Sequence, residues 1–173
     1  MNRFENQVVV VTGASRGIGQ AIAIAFAAEG ARVVALGVSN YDETTAKVKA
    51  VGGTLTPIHA DFATLDQAAA RKVMADVIAT TGRIDVLVNN SGIIRRAPAV
   101  DFPQEDWNAV MQINLNAPFF LCQATAKWWL TNGRDAAAPG SRLRIINIAS
   151  LLSFQGGILV PAYTAAKSGI AGL

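Results

Sequence analysis

Tyr163 and Lys167 stand four residues apart near the end of a 173-residue chain. On a helix an i, i+4 pair shares one face, which sets the ammonium beside the phenol. A fixed positive charge favours the anion of a neighbouring phenol, a group that titrates near pH ~10 in water. The pairing therefore suits a tyrosine that gives and takes protons near neutrality. Ser150, thirteen residues before Tyr163, adds a hydroxyl able to donate to an oxygen where negative charge develops. A second cluster, Thr12-Gly13-Ala14-Ser15-Arg16-Gly17-Ile18-Gly19, follows the first apolar run. Its glycines tolerate positive φ and let a ligand approach the backbone. The open N–H groups at the start of the following helix suit a pyrophosphate. The spacing is G-x-x-x-G-x-G rather than G-x-G-x-x-G, and it lacks the lysine of a phosphate loop, which weakens an NTPase reading. The plain alternative is a tight strand-to-helix turn with no ligand.

Residues this far apart must be brought together by a framework of strands and helices. Short apolar blocks at Val8 to Val11, Val33 to Leu36, Ile84 to Val88 and Leu143 to Ile148 read as strands buried on both faces. Strands are expected near 7–12, 31–37, 54–60, 84–90 and 143–149, and helices near 17–29, 42–51, 64–81, 104–131 and from about 161 onward. This alternation implies βαβ units, right-handed crossovers and a parallel sheet. The fold class expected is α/β, a Rossmann-like doubly wound parallel sheet forming a single domain over 1–173. In the first helix Ile18, Ile22 and Phe26 mark the buried stripe, with Gly30 closing it. Thr64 is the expected cap of the third helix, which ends before Gly82. The exposed loop is expected over 132–141, where Asp135, Pro139 and Gly140 cluster.

Composition narrows the function classes. Hydrophobic residues make up 51% and charged residues 16%, yet no apolar run approaches the ~20 residues of a membrane span. A net charge of +3 with scattered basic residues argues against a nucleic-acid surface. One cysteine, Cys122, allows no internal disulfide, which fits a reducing cytoplasm. The start of the chain lacks the apolar core of a secretion signal. His59, the single histidine, is expected to be a packed strand residue, and no metal site is expected. Phe119, Phe120, Trp128 and Trp129, with Cys122, read as core or interface.

These residues together resemble the short-chain dehydrogenase/reductase family, and the resemblance runs from the first strand to the last residue. The turn Thr12 to Gly19 matches that family's cofactor motif. Asp61, followed by Phe62, matches the carboxylate that binds the adenine amine. Asn89-Asn90-Ser91-Gly92 matches N-N-A-G, with Ser91 in place of alanine. Asn114, Ser150, Tyr163 and Lys167 match the catalytic tetrad. The resemblance implies NAD or NADP bound by Gly13, Ser15, Arg16, Gly17, Ile18, Gly19, Asp61, Phe62, Asn90, Ser91 and Gly92, with Tyr163 and Lys167 at the nicotinamide end. It implies that Tyr163 exchanges a proton with an alcohol or ketone oxygen, Lys167 bonds the nicotinamide ribose, and Ser150 polarises the substrate. Asn114 would hold its helix open for a proton-relaying water. At the end of strand two, Gly37-Val38-Ser39-Asn40 offers neither the carboxylate that binds the ribose hydroxyls of NAD nor a following arginine. Arg16 could take a 2′-phosphate, and both cofactors stay open.

Two stretches point to the sugar-acid branch of the family, the 2-deoxy-D-gluconate 3-dehydrogenases and the 2-dehydro-3-deoxy-D-gluconate 5-dehydrogenases. They are Asn90 to Pro98 and Ala149 to Ile158. Arg95 and Arg96 follow strand four on the side where ligands bind in open α/β sheets. There a guanidinium could hold a carboxylate in paired bonds, or simply face solvent. Gln155 could bond a sugar hydroxyl or its own loop, and Ser150 and Tyr163 complete the substrate contacts. The resemblance further implies a homo-oligomer, dimer or tetramer, with no nucleic-acid or membrane partner. A 3-oxoacyl-thioester reductase or another alcohol dehydrogenase is the alternative within the family. A non-catalytic nucleotide-binding protein is the alternative of another class. Family members continue past the position of Leu173 through further strands, so the C-terminal strands are expected to be absent from this chain and strand five to form a sheet edge.

Overall fold

The computed structural model describes residues 2–133 and 142–173. Five parallel strands form one sheet: β1 (Val8–Thr12), β2 (Arg32–Gly37), β3 (Thr54–His59), β4 (Val86–Asn89) and β5 (Arg144–Asn147), in the order β3-β2-β1-β4-β5. Among the described residues six α-helices accompany them: α1 (Gly17–Ala28), α2 (Asp42–Ala50), α3 (Gln67–Thr81), α4 (Gln104–Met111), α5 (Ala117–Trp128) and α6 (Pro161–Gly172). The strand order reverses at β1, whose neighbours are β2 and β4. That reversal opens a crevice beyond the carboxyl ends of the strands.

The alternation of side chains along β1 shows why its sequence is apolar throughout. Val8 and Val10 pack with Met74 and Val77 of α3 and Leu121 of α5. Val9 and Val11 pack with Ala23 and Ala27 of α1 and Val48 of α2. Successive side chains point to opposite faces, so a strand covered on both sides has no polar position. Burying each such valine contributes about 1.5–3 kcal/mol. Pro57, which cannot donate a ladder bond, falls on the edge strand β3, where it is tolerated. At the amino end of β4 the buried Asp85 carboxylate accepts from the Val8 N–H at 2.8 Å and pairs with Arg83.

The expected elements all form, with bounds within a few residues, but four expectations change. In α1 the buried residues are Gly19, Ala23 and Ala27, while Ile18 is 66% exposed. Small residues face the sheet most closely, while Ile22 and Phe26 of the expected stripe pack at the margin of the same core, Phe26 meeting Phe4 edge-on at 4.8 Å. Asp66, not Thr64, caps α3, its carboxylate accepting from the Ala69 N–H at 2.7 Å. Gly82 closes that helix in the left-handed conformation, at φ 77°. The helix expected over 104–131 is interrupted, with π-helical segments at Gln112–Asn116 and Trp129–Gly133. His59 is exposed, because β3 lies at the sheet edge. Among the aromatics expected in core or interface, Phe119 is 41% exposed and Trp128 packs against the α3/α5 core. Of the loop expected over 132–141, residues 134–141 lie outside the described residues.

β5 occupies the other edge of this sheet, with Ile145 and Ile146 37% and 40% exposed. Among the described residues no helix is long and apolar enough to cross a membrane.

Candidate active site

The glycine turn leads from β1 into α1 beside the end of β4, although the two strands meet from positions nearly eighty residues apart. The Thr12 hydroxyl oxygen accepts from the Asn90 and Ser91 N–H groups at 2.9 and 2.8 Å. The Asn90 side-chain amide donates back to the Thr12 and Gly13 carbonyls at 3.0 and 3.3 Å. Gly13 adopts φ 66°, and a Cβ there would sit 2.8 Å from the Ser91 hydroxyl. A Cβ on Gly19 would collide with the Gly13 carbonyl and the Asn90 amide. From α2, the fully buried Thr44 donates to the Ala14 carbonyl at 2.9 Å, and Gln20 donates to the Ser15 carbonyl at 3.2 Å. The turn is thus held from behind, and Arg16 at the N-cap of α1 supplies no side-chain cap to the first N–H groups. Those groups remain open to an anion.

A cleft of about 350 Å³ opens in front of the turn. Gly13, Ser15, Arg16, Asp61, Phe62, Asn90, Ser91 and Gly92 all line it. Gly17, Ile18 and Gly19 are not among its lining residues and form the first helical turn behind. The cleft also takes in Gly37, Val38, Ser39, Tyr41, Ile93 and Ile113. Tyr41 escaped the sequence reading, as did the supporting role of Thr44; both sit on or beside α2, outside the glycine motif. The Tyr41 phenol is buried without a hydrogen-bond partner, and burial pushes its pKa up to about 12. Asp61 uses one carboxylate oxygen to accept from the Ala63 N–H at 2.9 Å, which fixes the carboxylate at the cleft wall.

Of the four candidate tetrad residues, Asn114 bonds Ile93 of the cleft lining and Tyr163 packs in the same apolar cluster as Ile93, while Ser150, Tyr163 and Lys167 do not line the cleft itself. Asn114 is fully buried in the first π-helical segment. Its amide accepts from the Ile93 N–H at 2.9 Å and donates to the Ile93 carbonyl at 2.7 Å, anchoring the chain that leaves β4. A π segment departs from the i→i−4 hydrogen-bond ladder of the α-helix. Tyr163 and Lys167 both lie on α6, and the Lys167 ammonium is 5.7 Å from the centre of the Tyr163 ring. Lys167, 5% exposed, donates to the Ile148 carbonyl just past β5. Its desolvation lowers the ammonium pKa. Ser150 caps the short 3-10 turn Leu151–Ser153, its hydroxyl oxygen accepting from the Leu152 N–H at 3.2 Å. That bond uses a lone pair and leaves the hydroxyl proton available to donate. The capping and catalytic readings of Ser150 are therefore compatible.

The substrate-side candidates are less alike. Arg95 is exposed and pairs with Asp106 of α4, Nε lying 3.2 Å from the carboxylate. Arg96 is exposed. Gln155 is also exposed, on a loop with Leu151, Phe154 and Ile158, which are 78%, 84% and 95% exposed. Among the described residues no group of histidines, cysteines and carboxylates could hold a metal ion.

With this geometry in hand, the chain compares as follows with known proteins. The pattern that defines short chain dehydrogenases matches residues 7–173. The chain belongs to the short-chain dehydrogenase family. Within the family it is 41% identical to the 2-dehydro-3-deoxy-D-gluconate 5-dehydrogenase of Escherichia coli over 98% of this chain and 64% of that protein. It is 43% identical to the enzyme of the same name from Bacillus subtilis, over 98% of this chain and 63% of that protein. A solved structure from Agrobacterium tumefaciens, proposed to be a 2-deoxy-D-gluconate 3-dehydrogenase and holding NADP, superimposes with a TM-score of 0.86 at 46% identity. That superposition covers 99% of this short-chain dehydrogenase and 64% of the other chain. The chain thus spans a little under two thirds of the length of the relatives it matches.

Proposed function

We propose that this short-chain dehydrogenase is the cofactor-binding and catalytic part of an NAD(P)-dependent oxidoreductase that interconverts a secondary alcohol and a ketone on a sugar acid such as 2-deoxy-D-gluconate. The observation that carries the reading is the Lys167 ammonium, 5.7 Å from the centre of the Tyr163 ring and bonded to the Ile148 carbonyl two residues before Ser150, together with the cleft in front of the glycine turn. The cleft suits a dinucleotide: glycine backbone and an uncapped helix start at one wall, Asp61 and Phe62 at the other, Asn90 to Gly92 at the inner end. Arg16 on the rim, with no carboxylate at residues 37–40, favours the 2′-phosphate of NADP. The bound nicotinamide supplies the hydride acceptor or donor.

The residues of the chain then handle the proton and the orientation. In oxidation Tyr163 takes the proton of the substrate hydroxyl as its carbon gives up hydride; in reduction it returns the proton to the carbonyl oxygen. Ser150 donates to that oxygen and stabilises the charge that develops on it. Lys167, with its ammonium over the Tyr163 ring, supports the anionic phenol and bonds the nicotinamide ribose. Asn114 holds the π segment against the loop after β4 and keeps a place for a proton-relaying water. Arg96, with Arg95 beside it, is the cation for a substrate carboxylate, and Gln155 bonds a sugar hydroxyl. A second copy of the chain, as dimer or tetramer, completes the assembly.

The test is turnover of the full-length protein, followed by the absorbance of reduced nicotinamide. NAD and NADP are compared on 2-deoxy-D-gluconate, a neutral alcohol and a 3-oxoacyl thioester. Preference for the acid supports the reading. Equal or better activity on the thioester moves the chain to the reductase alternative. Cofactor binding without turnover on any of them points to the non-catalytic alternative.

A further inference from the structure

We propose that Ser153 is a positioning residue that sets Ser150 in register with Tyr163 and Lys167, an inference that rests on the catalytic reading above. Ser150 and Lys167 sit on separate segments, one on the turn after β5 and one on α6. Ser153 joins them through a single hydroxyl. Its oxygen accepts from the Ser150 N–H at 3.3 Å, and its proton goes to the Lys167 carbonyl at 2.6 Å. The backbone of Ser153 repeats the link: its N–H donates to the Ser150 carbonyl at 3.0 Å, and its carbonyl accepts from the Ser168 hydroxyl at 3.3 Å. Every polar group of Ser153 therefore engages one of the two catalytic segments.

The chemistry separates positioning from catalysis. A serine hydroxyl has one proton, and that of Ser153 is held by a main-chain carbonyl, so it has none to offer a substrate. What it controls is where the neighbouring serine points. The Ser150 side chain accepts from the Leu152 N–H, and its backbone N–H is fixed by Ser153, so both ends of the residue are pinned. Without the Ser153 hydroxyl, the turn loses the bond that ends on the Lys167 carbonyl and keeps only the longer one from Ser168. A misplacement of about 1 Å at a reacting group lowers rates by up to about a hundredfold.

The experiment uses the full-length protein with NADP and 2-deoxy-D-gluconate, and compares Ser153→Ala, Ser153→Cys and Ser153→Thr, each alone and with Ser150→Ala. Positioning predicts that kcat falls about tenfold in Ser153→Ala, while KM and the Kd for NADP stay within about twofold. Ser153→Thr, which keeps the hydroxyl, stays within about threefold of the parent. Ser153→Cys, a weak donor of similar size, loses kcat as alanine does and carries the comparison if the alanine protein does not fold. In the Ser150→Ala background the Ser153 changes cost nothing more, because they act through Ser150. A further loss of the same size in that background overturns the proposal, as does a threonine variant no better than alanine. Full turnover by Ser150→Ala itself would show the catalytic reading to be wrong and remove the role of Ser153 with it.

Discussion

Asn114 and Ile93 exchange two hydrogen bonds across twenty-one positions of the chain, amide to main chain in both directions. The asparagine is fully buried and sits where α4 gives way to a π-helical segment. A side chain that reads like peptide can satisfy the peptide groups that leave β4 without a strand partner. Gly92 makes room for it, since a Cβ there would sit 2.6 Å from the Asn114 oxygen.

Replacing Asn114 with alanine should accordingly destabilise the chain by about 1–3 kcal/mol, the cost of leaving the Ile93 groups unpaired. The unfolding midpoint in urea measures this. A variant as stable as the parent would show that the pair is not a structural anchor.

In the proposed mechanism Tyr163→Phe removes the proton carrier and keeps the ring under Lys167. Turnover should fall by about 10²–10⁴-fold, the range for loss of a general acid–base. Thermal stability and NADP affinity should change little. Parallel calorimetry and steady-state kinetics separate this outcome from misfolding, and substantial residual turnover would place the proton transfer elsewhere.

Arg95 and Arg96 should respond differently. The ion pair of Arg95 with Asp106 occupies its Nε edge, so Arg96 carries more of any carboxylate recognition. We expect Arg96→Gln to raise KM for a sugar acid about tenfold at constant kcat, and Arg95→Gln to raise it less. Kinetics on the acid and on a neutral analogue decide it. An equal rise on both substrates would remove the carboxylate from the argument.

Tyr41 gives a stability signature in alkali. Its phenol has an ordinary pKa of 10.0 and is raised to about 12 by burial. Between these values the unfolded chain has lost the proton that the folded chain keeps, so stability is full below pH ~10 and falls as pH rises toward ~12. Tyr41→Phe should flatten that fall. Because the hydroxyl is buried without a partner, its removal should also raise the midpoint of thermal unfolding by about 2–4 °C near neutral pH. A lower midpoint would show that the hydroxyl is satisfied in solution.

The alternation of strands and helices, the glycine turn and the 150/163/167 spacing were legible because each is written locally. Apolar runs mark doubly covered strands, a positive φ calls for glycine at Gly13, and four residues make one helical turn on α6. Of the stripe expected on α1, Ile22 and Phe26 pack against the core and Ile18 does not, while the smaller Gly19 and Ala23 are the buried positions. How closely a helix approaches a sheet, rather than hydrophobicity, selects the small residues.

What the chain determined by itself was the kind of element at each place and the residue types able to do chemistry. Tertiary structure decided which of them meet. The order β3-β2-β1-β4-β5 brings Thr12 to Asn90, leaves His59 on an edge and sets Lys167 under the end of β5. It also decided that Arg95 turns to Asp106, that Asn114 turns to Ile93, and that Ser153 ties the turn after β5 to α6. These are contacts between residues distant in sequence, and their partners depend on which peptide groups and charges the assembled sheet leaves unsatisfied, a quantity that no local pattern contains.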